Sequence, residues 1–229
     1  MGQTTIGARL AFENARKAAA KAGLSMNQAV LSQSFLRFEV GLVQGTTNYK
    51  FDTLTNENTQ TTNWNTQTKL NLQDSFVCSE IGFFLAVPTS STDTAFSLLT
   101  YPNPTVLTAA NYAAYKTIYN GQMQLNVNQK TIITNWDLSR HLYAQETQQN
   151  AITGTYASTV APAILNSTDS IDLSSHGFVP VEPNFVLVGS KKNDLSVNLP
   201  GVGLTAVTAN SRLICVMRGI MLQNSTSVN

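Results

Sequence analysis

At 229 residues the chain is long enough to bury a full hydrophobic core without disulfides or metals as staples. Only 12% of it is charged against 42% hydrophobic, and the net charge is +1, so its polar surface is built mostly from Thr, Asn, Gln and Ser. That surface supplies almost no repulsion between copies, which argues against a protein kept apart by charge and suits one that packs beside its own kind.

No apolar run reaches the roughly 18 residues of a membrane-spanning helix. The N-terminus lacks the continuous apolar core of a secretion signal, because Glu13, Arg16 and Lys17 interrupt it, so export through a cleaved signal is not expected.

Residues 1–29 form a basic arm, and this is the Ala-rich, helix-favouring part of the chain. On a 3.6-residue period Arg9, Glu13, Arg16, Lys17 and Lys21 fall on one side and Ala11, Ala15, Ala18 and Ala22 on the other, with Gly23 as a natural C-cap. Such a helix can lie on anionic lipid headgroups, contact phosphates, or dock on its own domain or a neighbouring subunit. Its weakly apolar Ala face argues against deep membrane insertion.

From Ser34 the pattern turns to strands. "SFLRFEVGLV" alternates Phe35, Arg37 and Glu39 with Leu36, Phe38 and Val40, and "TTNYKFDTL" follows a Gln44-Gly45 turn. The nearly uncharged tract from Thr53 to Gln73 reads as an exposed hairpin region with Trp64 as its one large apolar anchor. Further strands are expected over 66–73, 76–87, 94–101, 121–128, 130–134, 178–189, 194–199, 203–208 and 211–223. Short helices are expected near Ala109–Lys116 and over Asn135–Thr147, where Asn135 or Asp137 caps the turn. That second helix marks the best internal boundary and divides the strands into residues 30–135 and 136–229.

The chemical inventory is thin. "DLSSHG" sets Asp172, Ser174, Ser175 and His176 close together, but hydrolase triads are assembled from separate elements, and a polar turn before Phe178 is the better reading. Asp74, Glu80, Asp169 and Asp172 do not form an evident glycosidase pair. "LPGVGLTAV" lacks the Lys of a phosphate loop and reads as a turn. Lys191-Lys192 reads as a hairpin tip, and Asn166 and Asn224 head glycosylation tripeptides that an Asn/Thr-rich chain produces by chance. Cys78 and Cys215 lie in apolar runs and read as buried thiols, with one disulfide as the alternative; with His141 and His176 they make a poor zinc set. No enzyme activity, metal or cofactor is expected.

A basic N-terminal helix, then strands, a connector and more strands, in a charge-poor Asn/Thr-rich chain, resembles the major capsid proteins of small icosahedral, membrane-containing bacteriophages of the upright double jelly-roll lineage. "SFLRFEVGLVQGTTNYKFDTL", "DSFVCSEIGFFLAV" ahead of "LLTYPNP", "YNGQMQLNVNQKTI" and "SRLICVMRGIMLQN" are similar to virion proteins of phages that infect Bacteroidetes-type bacteria.

The resemblance implies an all-β chain of two upright eight-stranded jelly-roll barrels, over 30–135 and 136–229, forming homotrimers that act as pseudo-hexameric capsomers. These would tile an icosahedral capsid shell beside penton and minor capsid proteins, in a virion assembled in the host cytoplasm. Arg9, Arg16, Lys17 and Lys21 would face the interior and its lipid membrane, without specific nucleic-acid recognition. One larger jelly roll of eight long strands is the competing count, because 229 residues leave little for loops in two barrels. A β-sandwich receptor- or carbohydrate-binding module is the functional alternative, with Trp64, Trp136, Tyr112 and Tyr115 as its candidate aromatics.

Overall fold

The computed structural model describes residues 6–24, 29–53, 67–102, 107–143 and 177–225, with the side chains of 6–9 and 109 excepted. Trp64, Asp169, Asp172, Ser174, Ser175, His176, Asn166 and most of the Thr53–Gln73 tract lie outside them.

The described residues hold two helices, α1 (Ile6–Lys21) and α2 (Ala109–Lys116), and eight strands. The strands are β1 (Val30–Gly41), β2 (Asn48–Phe51), β3 (Ser75–Ala86), β4 (Gln122–Val127), β5 (Lys130–Asp137), β6 (Phe178–Val188), β7 (Asn193–Asn198) and β8 (Arg212–Gln223). They form two antiparallel four-stranded sheets, in the orders β1-β8-β3-β6 and β2-β7-β4-β5.

The pairing is nested, first strand with last: β1 with β8, β2 with β7, β3 with β6 and β4 with β5. The chain is thus one long antiparallel hairpin rolled up until β3 meets β8 and β4 meets β7. That order is a single jelly roll. The tip of the long hairpin is the Asn128-Gln129 turn, whose φ values of 51° and 65° give the doubly left-handed geometry that matches strand twist.

A boundary between 135 and 136 does not separate two barrels among the described strands, because each sheet draws strands from both sides of it. Three expected strands are loops instead. Over 203–208 the chain turns at Gly203 (φ 74°), where a Cβ would sit 2.2 Å from the Thr46 carbonyl oxygen. Residues 94–101 and the described residues 67–73 lie against the sheets as loops, and the isolated bridges Leu85↔Leu99 and Arg37↔Thr68 join them to the β1-β8-β3-β6 sheet. Of the helix expected over Asn135–Thr147, the described part, to residue 143, holds one 3₁₀ turn, Leu138–His141, because β5 runs on to Asp137 and Asp137 then caps the turn.

The core lies between the sheets. Leu36 and Phe38 of β1, Phe83 and Leu85 of β3, and Cys215 and Met217 of β8 meet Phe51, Met123, Leu125 and Val197 from the opposite sheet. The β2-β7-β4-β5 sheet turns its other face to solvent, so β2 alternates exposed and buried residues. The β1-β8-β3-β6 sheet is covered on both faces, so β3 and β8 read as nearly unbroken apolar runs.

Every sheet edge is blunted against strand addition. β1 is bonded on its outer side at Arg37 to Thr68, and β2 is four residues long. β5 carries two register shifts against β4, and β6 contains Pro180 and Pro183, which have no N–H to offer.

Candidate interaction surface

The outer face of the β1-β8-β3-β6 sheet gathers the features outside the core. At one end lies α1, which buries Ala15 and Ala19, with Phe12 and Ala18 beside them, against Val77, Ile220 and Leu222. Small side chains let the helix backbone come close to the sheet, and the 3–4 residue spacing aligns them in one stripe. Arg16, Lys17 and Lys21 are exposed, so the helix shows the solvent a basic side. Arg9 lies in α1, but its side chain is outside those described. Ala11 and Ala22 are exposed, so the buried stripe is rotated towards Ala19 from the one the sequence suggests.

This docking gives a direct test. Ala19→Glu places a carboxylate against Val77 and Leu222, and the expected result is an undocked helix with the barrel still folded: amides of α1 lose hydrogen-exchange protection while those of β3 and β8 keep theirs. Unchanged protection across α1 would refute the docking.

At the other end the segment from Thr89 to Thr100 straps the sheet. Asp93 organises its turn by accepting bonds from the Thr89 N–H and hydroxyl and from the Ala95 N–H, and these bonds hold its carboxyl below the usual range. Under the strap is a buried charge cluster. The Glu39 carboxylate, fully buried, takes Arg37 Nε at 2.8 Å and Arg212 Nη1 at 3.1 Å. Arg212 Nη2 donates to the Ser91 carbonyl at 2.9 Å, and both guanidiniums lie over the Phe96 ring. The alternation in β1 shows Arg37 and Glu39 sharing a phase; it does not show that this phase is covered.

Between helix and strap runs an open trough of about 880 Å³, floored by Val77, Val216 and Ile220 and walled by Phe35, Phe84 and Phe178. Arg218 lies in it, 3.6 Å above the Phe178 ring and 3.9 Å from Glu80.

Elsewhere the described candidate aromatics, Tyr112, Tyr115 and Trp136, make contacts within the chain. Tyr115 is buried, its hydroxyl donating to Ser211 Oγ and accepting from the Thr208 N–H, which ties α2 to the loop before β8. Lys116 covers Tyr112, and Trp136 bonds His141. Cys78 and Cys215 are buried free thiols, and burial pushes both well above the ordinary thiol range, away from reactivity. Lys192 sits exposed in the turn between β6 and β7. Among the described residues no cluster of His, Cys, Asp and Glu is arranged to hold a metal, and no helix there is long and apolar enough to cross a membrane. No known protein family, curated protein or solved structure matches the chain.

Proposed function

We propose that the chain is a virion structural protein, a capsid shell subunit of a small icosahedral bacteriophage. The observation that carries the reading is the jelly-roll strand order with a basic-sided helix docked outside it. A two-sheet jelly roll with blunted edges associates through its flanks and loops rather than by adding strands, and a surface with a net charge of +1 lets those flanks come close. One described barrel per chain alters the arithmetic of the resemblance: a six-barrel capsomer then takes six chains rather than three.

In this reading Arg16, Lys17 and Lys21, with Arg9, face the shell interior and its lipid. The test is light scattering and negative-stain microscopy of the full chain at high concentration, with rings or shells expected; a clean monomer overturns the reading. Deleting residues 1–24 is expected to leave the barrel folded by circular dichroism and to abolish shell assembly or binding to anionic liposomes. Normal assembly of the truncated chain would remove the arm from the account.

A further inference from the structure

The two sheets meet along one open side of the barrel where β5 and β6 are the edge strands. A single imidazole bridges them. His141, in the 3₁₀ turn that follows β5, is fully buried with both ring nitrogens bonded. The Gly177 carbonyl, one residue before β6, lies 2.9 Å from Nδ1, and Trp136 Nε1 of β5 lies 2.8 Å from Nε2. These partners fix the tautomer: a carbonyl only accepts, so Nδ1 carries the proton, and an indole N–H only donates, so Nε2 is bare. The ring also packs edge-on to Phe83, centroids 5.2 Å apart, and lies under the Trp136 ring at 6.1 Å.

We propose that His141 is a proton-sensitive latch on the β5/β6 seam, whose protonation at Nε2 sets two donors against each other and parts Trp136 from it. The surroundings favour a change confined to this ring. Among the described residues, Arg140 and Asp137 are the charged groups that act on it, in opposite directions, and Asp137 is occupied in capping the turn through Ser139. Tyr119, on the adjoining 3₁₀ turn, is buried and its hydroxyl is pushed up, far from this range. β3 presents the uncharged Phe83 ring; its Glu80 pairs with Arg218 and its Cys78 stays protonated. β6 presents the Gly177 carbonyl, and its Glu182 is exposed.

Burial, ahead of every other influence, holds His141 below its ordinary value, so the folded chain keeps it neutral where the unfolded chain takes up a proton. The stability this confers is complete above about pH 6.5, is lost as pH falls from there towards the depressed folded value, and changes no further below it.

The test uses the full chain carrying Trp64→Phe, so that Trp136 is the one indole. At neutral pH, long-range proton–nitrogen spectra are expected to show His141 as the Nδ1–H tautomer. On acidification, Trp136 emission and its indole N–H resonance are expected to move in one step with a midpoint below about pH 6.5, before far-ultraviolet circular dichroism changes. His141→Gln, which can still accept from Trp136 and donate to Gly177, is expected to lose that step. Should the Gln variant fail to fold, Trp136→Phe removes the donor that keeps Nε2 bare and is expected to move the His141 midpoint to higher pH. An Nε2–H tautomer at neutral pH overturns the proposal. So does a step that survives in His141→Gln, an unmoved midpoint in Trp136→Phe, or a Trp136 signal that changes only when the whole barrel unfolds.

Discussion

Replacing Glu39 with Ala is expected to cost about 3–5 kcal/mol, because it removes the carboxylate shared by a buried guanidinium and a half-buried one. Arg212 is 1% exposed, so water cannot take over the role of the carboxylate there. For a chain of this size that corresponds to a fall in Tm of roughly 6–20 °C. The Arg218–Glu80 pair is the internal control: it is 3.9 Å long with both partners about two-fifths exposed, and Glu80→Ala should cost at most about 1 kcal/mol. Urea unfolding of the two variants side by side decides the matter; a Glu39→Ala loss no larger than that of Glu80→Ala would mean the cluster is wet and the strap above it loose. The strap itself should respond, because Arg212 holds the Ser91 carbonyl, so protection of amides near Ser91 is expected to fall first.

The second large effect is expected at Gly219, where β8 passes the irregular part of β3. Cys78 pairs with Gly219 and Glu80 with Arg218, leaving Ser79 as an extra residue bulged out of the ladder. At this point the strands approach so closely that a Cβ on Gly219 would lie 1.9 Å from the Val77 carbonyl oxygen. Neither atom sits on a flexible side chain, so Gly219→Ala must push two central strands apart. A loss above about 3 kcal/mol, or no soluble protein, is expected, beyond the usual range for overpacking. Gly45→Ala separates this from a loss of backbone freedom: Gly45 has φ 77° with open space around it and should cost only about 1–2 kcal/mol. Equal midpoints for the two variants would show that the sheet yields at Gly219.

The strands that sequence patterning located well are those with strong constraints on both faces. "SFVCSEIGFFLA" and "RLICVMRGIMLQ" are apolar because helix and strap cover one side and the core the other, so their limits fall within a residue or two of those expected. Ala109–Lys116 was likewise legible, with Thr108 capping it. Strand composition misled where the chain lies against a sheet with little pairing: Phe96 and Leu98 are apolar because they cover the outer face as a strap, and Leu99 because it packs on the core.

Pairing partners were not legible, since nothing local in β1 points to β8. For the surface, the basic side of α1 was visible in the helical period, while the stripe that docks was shifted by the need to fit Val77 and Leu222. The His141 bridge was hidden because Gly177 contributes only a backbone carbonyl, which leaves no mark on composition.

The nested pairing also sets an order of events during synthesis. The β4–β5 hairpin can close as soon as it is made, and β3 can then find β6, but β1 has no neighbouring strand until residues 212–223 exist. Throughout that interval Phe35, Leu36 and Phe38 sit on an unpaired strand near the start of the chain, the condition in which long-range β folds are slow and most exposed to aggregation. α1 precedes β1, yet its seat on Val77 and Leu222 is completed only by the last strand. The full seat of the basic helix therefore exists only once the barrel is whole, and its settling reports that the chain has finished folding.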